Sequence, residues 1–174
     1  MNEISKYDEK EKLIVSNKQF GVILKICLII GIIVISGFIF YYIFKPEPGY
    51  ITFGILNEDK KAEKYPTEAS INENISFYLT VGNYLDREFR FLFMIKKGNS
   101  STILTSTTGS NGTLYLNLGN FTLQTDEYNI YGKYNISFSE VGENQIIIAE
   151  LWQITKSSEV KFYNILWLRL NITV

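Results

Sequence analysis

Side chains able to do chemistry are few in this chain. There is no histidine, and the one cysteine, Cys27, stands inside an apolar run. Beyond that run there is neither imidazole nor thiol. This excludes zinc and blue-copper sites, Cys–His nucleophiles and Ser–His–Asp triads, and it leaves no disulfide to staple the remainder of the chain. Carboxylates are what is left for acid–base work or metal binding: Glu58-Asp59, Asp126-Glu127, and Glu140 with Glu143. All sit in predicted turns, and no D-x-[DN]-x-[DN]-G loop gathers the roughly six to eight oxygens that calcium takes. They are expected to be solvated turn charges. The residues therefore point to no catalytic, metal or cofactor site.

Two further sets could act by contact or modification. Trp152, Tyr163, Trp167 and Arg169 cluster in the last quarter of the chain. The tryptophans are expected to pack across strands or between sheet and linker; the alternative is that these flat rings, with Tyr163 and the Arg169 guanidinium, anchor a partner from a strand exterior. Asn74, Asn99, Asn111, Asn120, Asn135 and Asn171 each open an Asn-x-Ser/Thr sequon, among fifteen asparagines in all. Chance at this composition gives roughly two, so the six are N-glycosylation candidates. Asn74, Asn135 and Asn171 are expected on the polar face of strands and the other three in loops, and an Asn-rich chain with bare loops is the alternative.

The elements that carry these residues follow from hydropathy. Ile26–Phe44 is nineteen residues without a charge. At about 1.5 Å per residue it spans roughly 28 Å, close to a bilayer's hydrocarbon core. Lys25 is placed to snorkel at one interface, Tyr41 and Tyr42 to form an aromatic belt at the other, and Lys45-Pro46 to stop the segment. The predicted transmembrane helix covers 25–45, with membrane lipid as its partner. The run is too long for a signal-peptide core, and no small-residue cleavage pair follows it. Gly31, Ser36 and Gly37 make no GxxxG spacing, so the helix is expected to face lipid. Lys6, Lys10, Lys12, Lys18 and Lys25 precede it, whereas Lys45 stands alone after it until Lys60. The positive-inside rule then puts residues 1–24 in the cytoplasm as a solvated tail, and the C-terminal part outside the cell.

After a linker at 46–49, the period changes to two. Ile75/Phe77/Leu79/Val81, Phe89/Phe91/Phe93/Ile95, Leu114/Leu116/Leu118 and Tyr134/Ile136/Phe138 alternate with polar residues, although Leu92 and Met94 make both faces of their run apolar. The last run alternates longest, with Leu166, Leu168, Leu170, Ile172 and Val174 against Trp167, Arg169, Asn171 and Thr173. Tyr50–Leu56 and Gln145–Ile154 read as further strands. Turn chemistry at Asn57–Lys60, Gly82-Asn83, Lys97–Asn99, Asn111-Gly112 and Gly142–Asn144 separates them, and Asn-Gly is a specific hairpin signal. Seven or eight half-apolar strands predict a mainly β domain over 50–174, an antiparallel immunoglobulin-like sandwich. A formal charge of −1 excludes a basic nucleic-acid footprint, and 46% apolar residues exclude disorder.

The stretch Tyr50-Ile51-Thr52-Phe53-Gly54-Ile55-Leu56 followed by Lys61-Ala62-Glu63-Lys64-Tyr65-Pro66-Thr67 resembles archaeal membrane proteins of the family called domain of unknown function 1616. So do Val81–Tyr84, the Gly142–Gln145 turn and the aromatic end near Leu166-Trp167-Leu168. The resemblance covers about 50–174, implies an outer β-domain on an archaeal surface, and carries no known chemistry. Members often have several membrane helices where this chain has one. The expected function is that of a non-enzymatic, single-pass surface protein binding or organising another envelope protein or glycan. The alternative is a subunit of an envelope machine, archaellum-stator-like or pilin-like.

Overall fold

The computed structural model describes residues 3–45 and 48–174, with backbone only for 3–17. The chain divides into two units, 1–47 and 48–174. The first is one helix, α1 (Glu3–Phe44), of 42 residues. It starts about twenty residues before the predicted span, so the segment expected as a solvated tail is helical. Strong helix formers and acid-before-base spacings such as Asp8/Lys12 explain this, and Gly21 is the only glycine before the apolar run. Lys18–Phe44 has a mean hydropathy of 2.9, long and apolar enough to cross a membrane. Its large apolar side chains are exposed on every side of the helix, among them Leu28, Ile33, Phe38 and Phe44. An all-round apolar surface of this kind has no stable place in water. Pro46 and Glu47 of the predicted linker lie outside the described residues.

The second unit has ten strands: β1 (Ile51–Leu56), β2 (Glu68–Ser70), β3 (Ile75–Asn83), β4 (Phe89–Gly98), β5 (Leu104–Thr105), β6 (Gly109–Ser110), β7 (Thr113–Leu123), β8 (Glu127–Ile136), β9 (Gly142–Ile154) and β10 (Val160–Thr173). They form a three-stranded sheet, β1-β3-β8, a five-stranded sheet, β2-β10-β9-β4-β7, and the small ribbon β5-β6. Every pairing is antiparallel except that of β2 with β10. The mainly β sandwich expected from the period-two pattern is the observed fold.

The core lies between the two sheets. Phe77, Leu79 and Val81 of β3 meet Phe89, Phe91, Phe93 and Ile95 of β4, together with Ile147, Ala149 and Leu151 of β9. Phe91 and Phe93 sit 5.3 Å apart, and both pack on Phe121 and on Tyr131. Such ring pairs contribute about 0.5–1.5 kcal/mol each beyond their area burial.

Several turn assignments change. Asn111-Gly112 does not close a hairpin: it joins β6 to β7, whose partners are β5 and β4. Gly82 and Asn83 end β3, and Asn83 is fully buried. Its Nδ2 donates to the carbonyls of Arg87, Leu123 and Gln124, and its Oδ1 accepts from the Leu85 amide, so one side chain ties two turns together. Gly142–Asn144 opens β9 rather than preceding it. In β10 the expected alternation holds for Leu170 and Ile172, which are buried, and for Leu166 and Leu168, which are half-buried. Val174, expected inward, is past the strand and 99% exposed.

Leu170→Asp is expected to unfold the domain, since a carboxylate would be driven between the sheets at a cost of several kcal/mol, whereas exposed Arg169→Asp should leave the melting temperature almost unchanged. A second expectation concerns alkaline pH. Burial, and then the charge of Glu127, push the Tyr131 hydroxyl up to about 12. A raised folded-state pKa gives stability that is complete below the unfolded value, about 10, and lost as pH rises toward the folded one. The urea midpoint should therefore fall between pH 10 and 12. Tyr131→Phe should make that fall shallower but not abolish it, because burial also raises Tyr65, Tyr134 and Tyr163.

Candidate functional site

β9 is central in its sheet and apolar on both faces, so its outward face needs a cover of its own. Ile146, Ile148, Glu150 and Trp152 point away from the main core, and the β4–β7 connection (residues 99–112) supplies the cover through β5 and β6. Ile146, Ile148 and Ile165 form a second small core with Leu104 and Phe162 packed on it. Beside it lies Glu150, whose carboxylate is 0% exposed.

A buried carboxylate is tolerated only when its oxygens are paired. Here Lys96 Nζ lies 3.0 Å from each carboxylate oxygen. The Ser110 amide and hydroxyl both donate to Oε1 at 2.7 Å, and the Trp152 indole N–H donates to Oε2 at 3.0 Å. Lys96, 13% exposed, also donates to the Ser110 carbonyl at 2.9 Å. Gly109, at φ +87°, passes so close that a Cβ there would sit 2.9 Å from Glu150 Oε1. The whole constellation fastens β6 to the sheet. Every acceptor site is engaged from within the chain, so the arrangement suits a structural clamp rather than acid–base chemistry on a ligand.

The contact candidates separate. Trp152 is half-buried, bonded to Glu150, and packed edge-on against Phe162 at 5.4 Å, so packing accounts for it. Tyr163 packs edge-on against the core ring of Phe89 at 5.1 Å, and burial raises its hydroxyl pKa. Trp167 and Arg169 stand opposite Ile148 and Ile146, hence on the same outward face of β10. Both are exposed, Trp167 by 45%.

Of the turn carboxylates, Glu58 pairs with Lys133, and Glu127 accepts from the Gln124 amide at 2.7 Å. Among the described residues, no three His, Cys, Asp or Glu side chains converge as metal ligands. A surface groove of about 700 Å³ is lined by Lys97, Asn99, Asn111, Phe138, Glu140 and Gln145, among others. In it Lys97 lies 4.4 Å from the Tyr115 ring centroid and 5.2 Å from that of Phe138, and it donates to the Ser137 carbonyl. Burial lowers its pKa.

All six sequon asparagines are exposed. Asn135 and Asn171 lie in strands and Asn99 and Asn111 in connections, as expected. Asn74 instead precedes β3 by one residue, and Asn120 sits in β7 at φ +64°, on the bulge that shifts register between Phe91 and Phe93. Sequence reasoning missed Glu150 and Lys96. The available signal was a lone carboxylate inside the apolar run Ile146–Trp152.

No family model matches the chain, nor does any curated protein. The likeness to domain of unknown function 1616 therefore rests on the quoted residues alone. Among solved structures, the CARDB domain of a Pyrococcus furiosus protein, crystallised with two metal ions, matches with 17% identity and a TM-score of 0.47 over 73% of this chain and 90% of that one. A β-glucosidase from Listeria innocua, in complex with glucose, matches at 12% and 0.43, over 72% of this chain and 16% of that one. The PmoD soluble domain from a Methylocystis species matches at 11% and 0.37, over 74% and 95%. At these values none of the three bears on function.

Glu150→Ala should cost about 3 kcal/mol in urea unfolding, because it strands Lys96, Ser110 and Trp152 without their acceptor. Replacing both charges, Lys96→Met with Glu150→Met, should recover most of that loss. Parent-like stability of Glu150→Ala would show that the carboxylate does not hold the β5–β6 cover.

Proposed function

We propose that the chain is a non-enzymatic, membrane-anchored surface protein, with the N-terminus in the cytoplasm and residues 48–174 outside the cell, where the sandwich binds or organises another envelope component. The observation that carries this reading is the apolar helix, exposed on all sides, joined to a domain whose one buried charge cluster is used up in its own packing. A bilayer is the solvent that such a helix requires. Lysines on the N-terminal side set its direction. The resemblance of Tyr50–Thr67 to an archaeal membrane-protein family supports the same placement.

With no metal cluster among the described residues, and the Ser110 hydroxyl and Glu150 carboxylate taken up in fastening β6, the outer domain acts through contact and position. Trp167 and Arg169, both exposed on one face of β10, are the residues proposed to meet the partner, an envelope protein or glycan. Trp152, packed on Phe162, supports that face.

One experiment addresses both parts. The full chain, and residues 46–174 on an unrelated single-pass anchor, each carry an epitope at Val174. Protease added to intact cells, once any wall or surface layer is permeable, should remove both epitopes, and cross-linking should recover the same partners from each. Protection of the Val174 epitope in the full chain would refute the orientation. Partners that follow the native helix instead would refute recognition by the sandwich.

A further inference from the structure

The two outermost strands at one side of the sandwich, β7 and β8, carry or adjoin half of its sequons. β7 borders only β4 in its sheet and β8 borders only β3, so each leaves one side of its backbone unpaired over eleven and ten residues. Such edges are templates for adding a strand from another chain. The opposite edges are shorter or partly occupied. β2 is three residues long and pairs with β10 only at Asn171–Thr173, and β1 is six residues long, with its Ile55 carbonyl taken by the Tyr65 hydroxyl at 2.6 Å. Bulges distort β7 and β8 but do not cover them. Asn120 sits on the β7 bulge, Asn111 lies two residues before β7, and Asn135 is on β8 beside its end.

The side-chain amides of four sequon asparagines are turned the same way. The Oδ1 atoms of Asn99, Asn111 and Asn171 accept from the backbone amides of Ser101, Ile103 and Asn144. A backbone N–H donor identifies the acceptor as oxygen, so each Nδ2 is the atom left outward. Asn135 Oδ1 accepts from the Ser76 hydroxyl. None of the six donates from Nδ2 to a described residue, whereas the buried non-sequon Asn57 and Asn83 do.

We infer that Asn74, Asn99, Asn111, Asn120, Asn135 and Asn171 carry N-linked glycans, and that those at Asn111, Asn120 and Asn135 block strand addition at β7 and β8. In the transfer, Nδ2 attacks the anomeric carbon of a sugar held on a lipid phosphate. The N–C1 bond forms and the C1–O bond breaks. The lipid phosphate leaves with the bonding pair, Nδ2 gives up one proton, and nothing is oxidised or reduced. Glycans on Asn99 and Asn111 also stand at the polar groove that both residues line, which removes it as a free binding site. The inference rests on the outer placement proposed above.

The test uses the full chain purified from its own cell's membrane. Glycopeptide mass spectrometry should find added mass on all six asparagines. The triple variant Thr113→Ala/Thr122→Ala/Ser137→Ala should lose it at Asn111, Asn120 and Asn135, and should shift to dimers and larger species by light scattering in detergent. Ser76→Ala/Ser101→Ala/Thr173→Ala should lose the other three and keep the parent's size. The set Asn111→Gln/Asn120→Gln/Asn135→Gln must behave as the first, which guards against a folding defect particular to one set. Bare asparagines on a domain that external protease reaches would overturn the inference while leaving the topology standing. Equal size distributions for the edge and non-edge variants would overturn the edge-blocking role.

Discussion

The packing of Phe91 and Phe93 against Phe121 and Tyr131 is the interaction on which the domain depends. With Cys27 confined to the helix, no covalent bond joins the two sheets, and the rings of β4, β7 and β8 meet where a disulfide would otherwise staple them. Because Tyr131 belongs to the three-stranded sheet and the phenylalanines to the five-stranded one, this contact sets how the sheets face each other. It also decides which strands become edges. β7 and β8 reach across the sandwich through Phe121 and Tyr131, 4.7 Å apart, and their outer sides are left unpaired.

Glu150 shows a different economy. A carboxylate with no exposure is costly to bury, and well-packed apolar residues in place of the pair would often serve stability equally well. What the charge adds is selectivity. An apolar cover over Ile146 and Ile148 could slide, whereas the two hydrogen bonds from Ser110 and the pairing with Lys96 admit one position of β6. Gly109 belongs to the same device, since its positive φ and missing side chain let the ribbon pass over the carboxylate. A connection that would otherwise be a long loose loop is thereby made part of the sheet's outer surface.

The molecule divides its surface by solvent. The helix presents apolar side chains all round and is long and apolar enough to cross a membrane. The sandwich keeps most of its phenylalanines inside and shows solvent a polar and charged surface, in which Trp167 is an exposed ring. Several of its buried or half-buried polar side chains are engaged within the fold. Asn83 pins two turns, Asn57 closes the loop after β1, and Glu150 fastens the cover.

The sequence by itself determined the features with a local period. An uncharged run of nineteen residues must be a helix that seeks lipid, and alternating Phe89–Ile95 and Leu166–Ile172 must be strands with one face inward, because side-chain direction repeats every two residues whatever the rest of the chain does. The scarcity of catalytic side chains was equally plain from composition. Tertiary structure alone decided the rest. Asn111-Gly112 looks like a hairpin turn, yet β7 finds a better partner in β4, where long apolar strands can pair. Trp152 reads from the sequence as a packed ring or an anchor, and only Phe162 and Glu150, which meet it, name its packing partners. Glu150 itself is one acid in an apolar strand, and its partners Ser110 and Lys96 stand 40 and 54 residues away. Whether a charge is solvated or buried depends on what folds over it, and no local pattern carries that information.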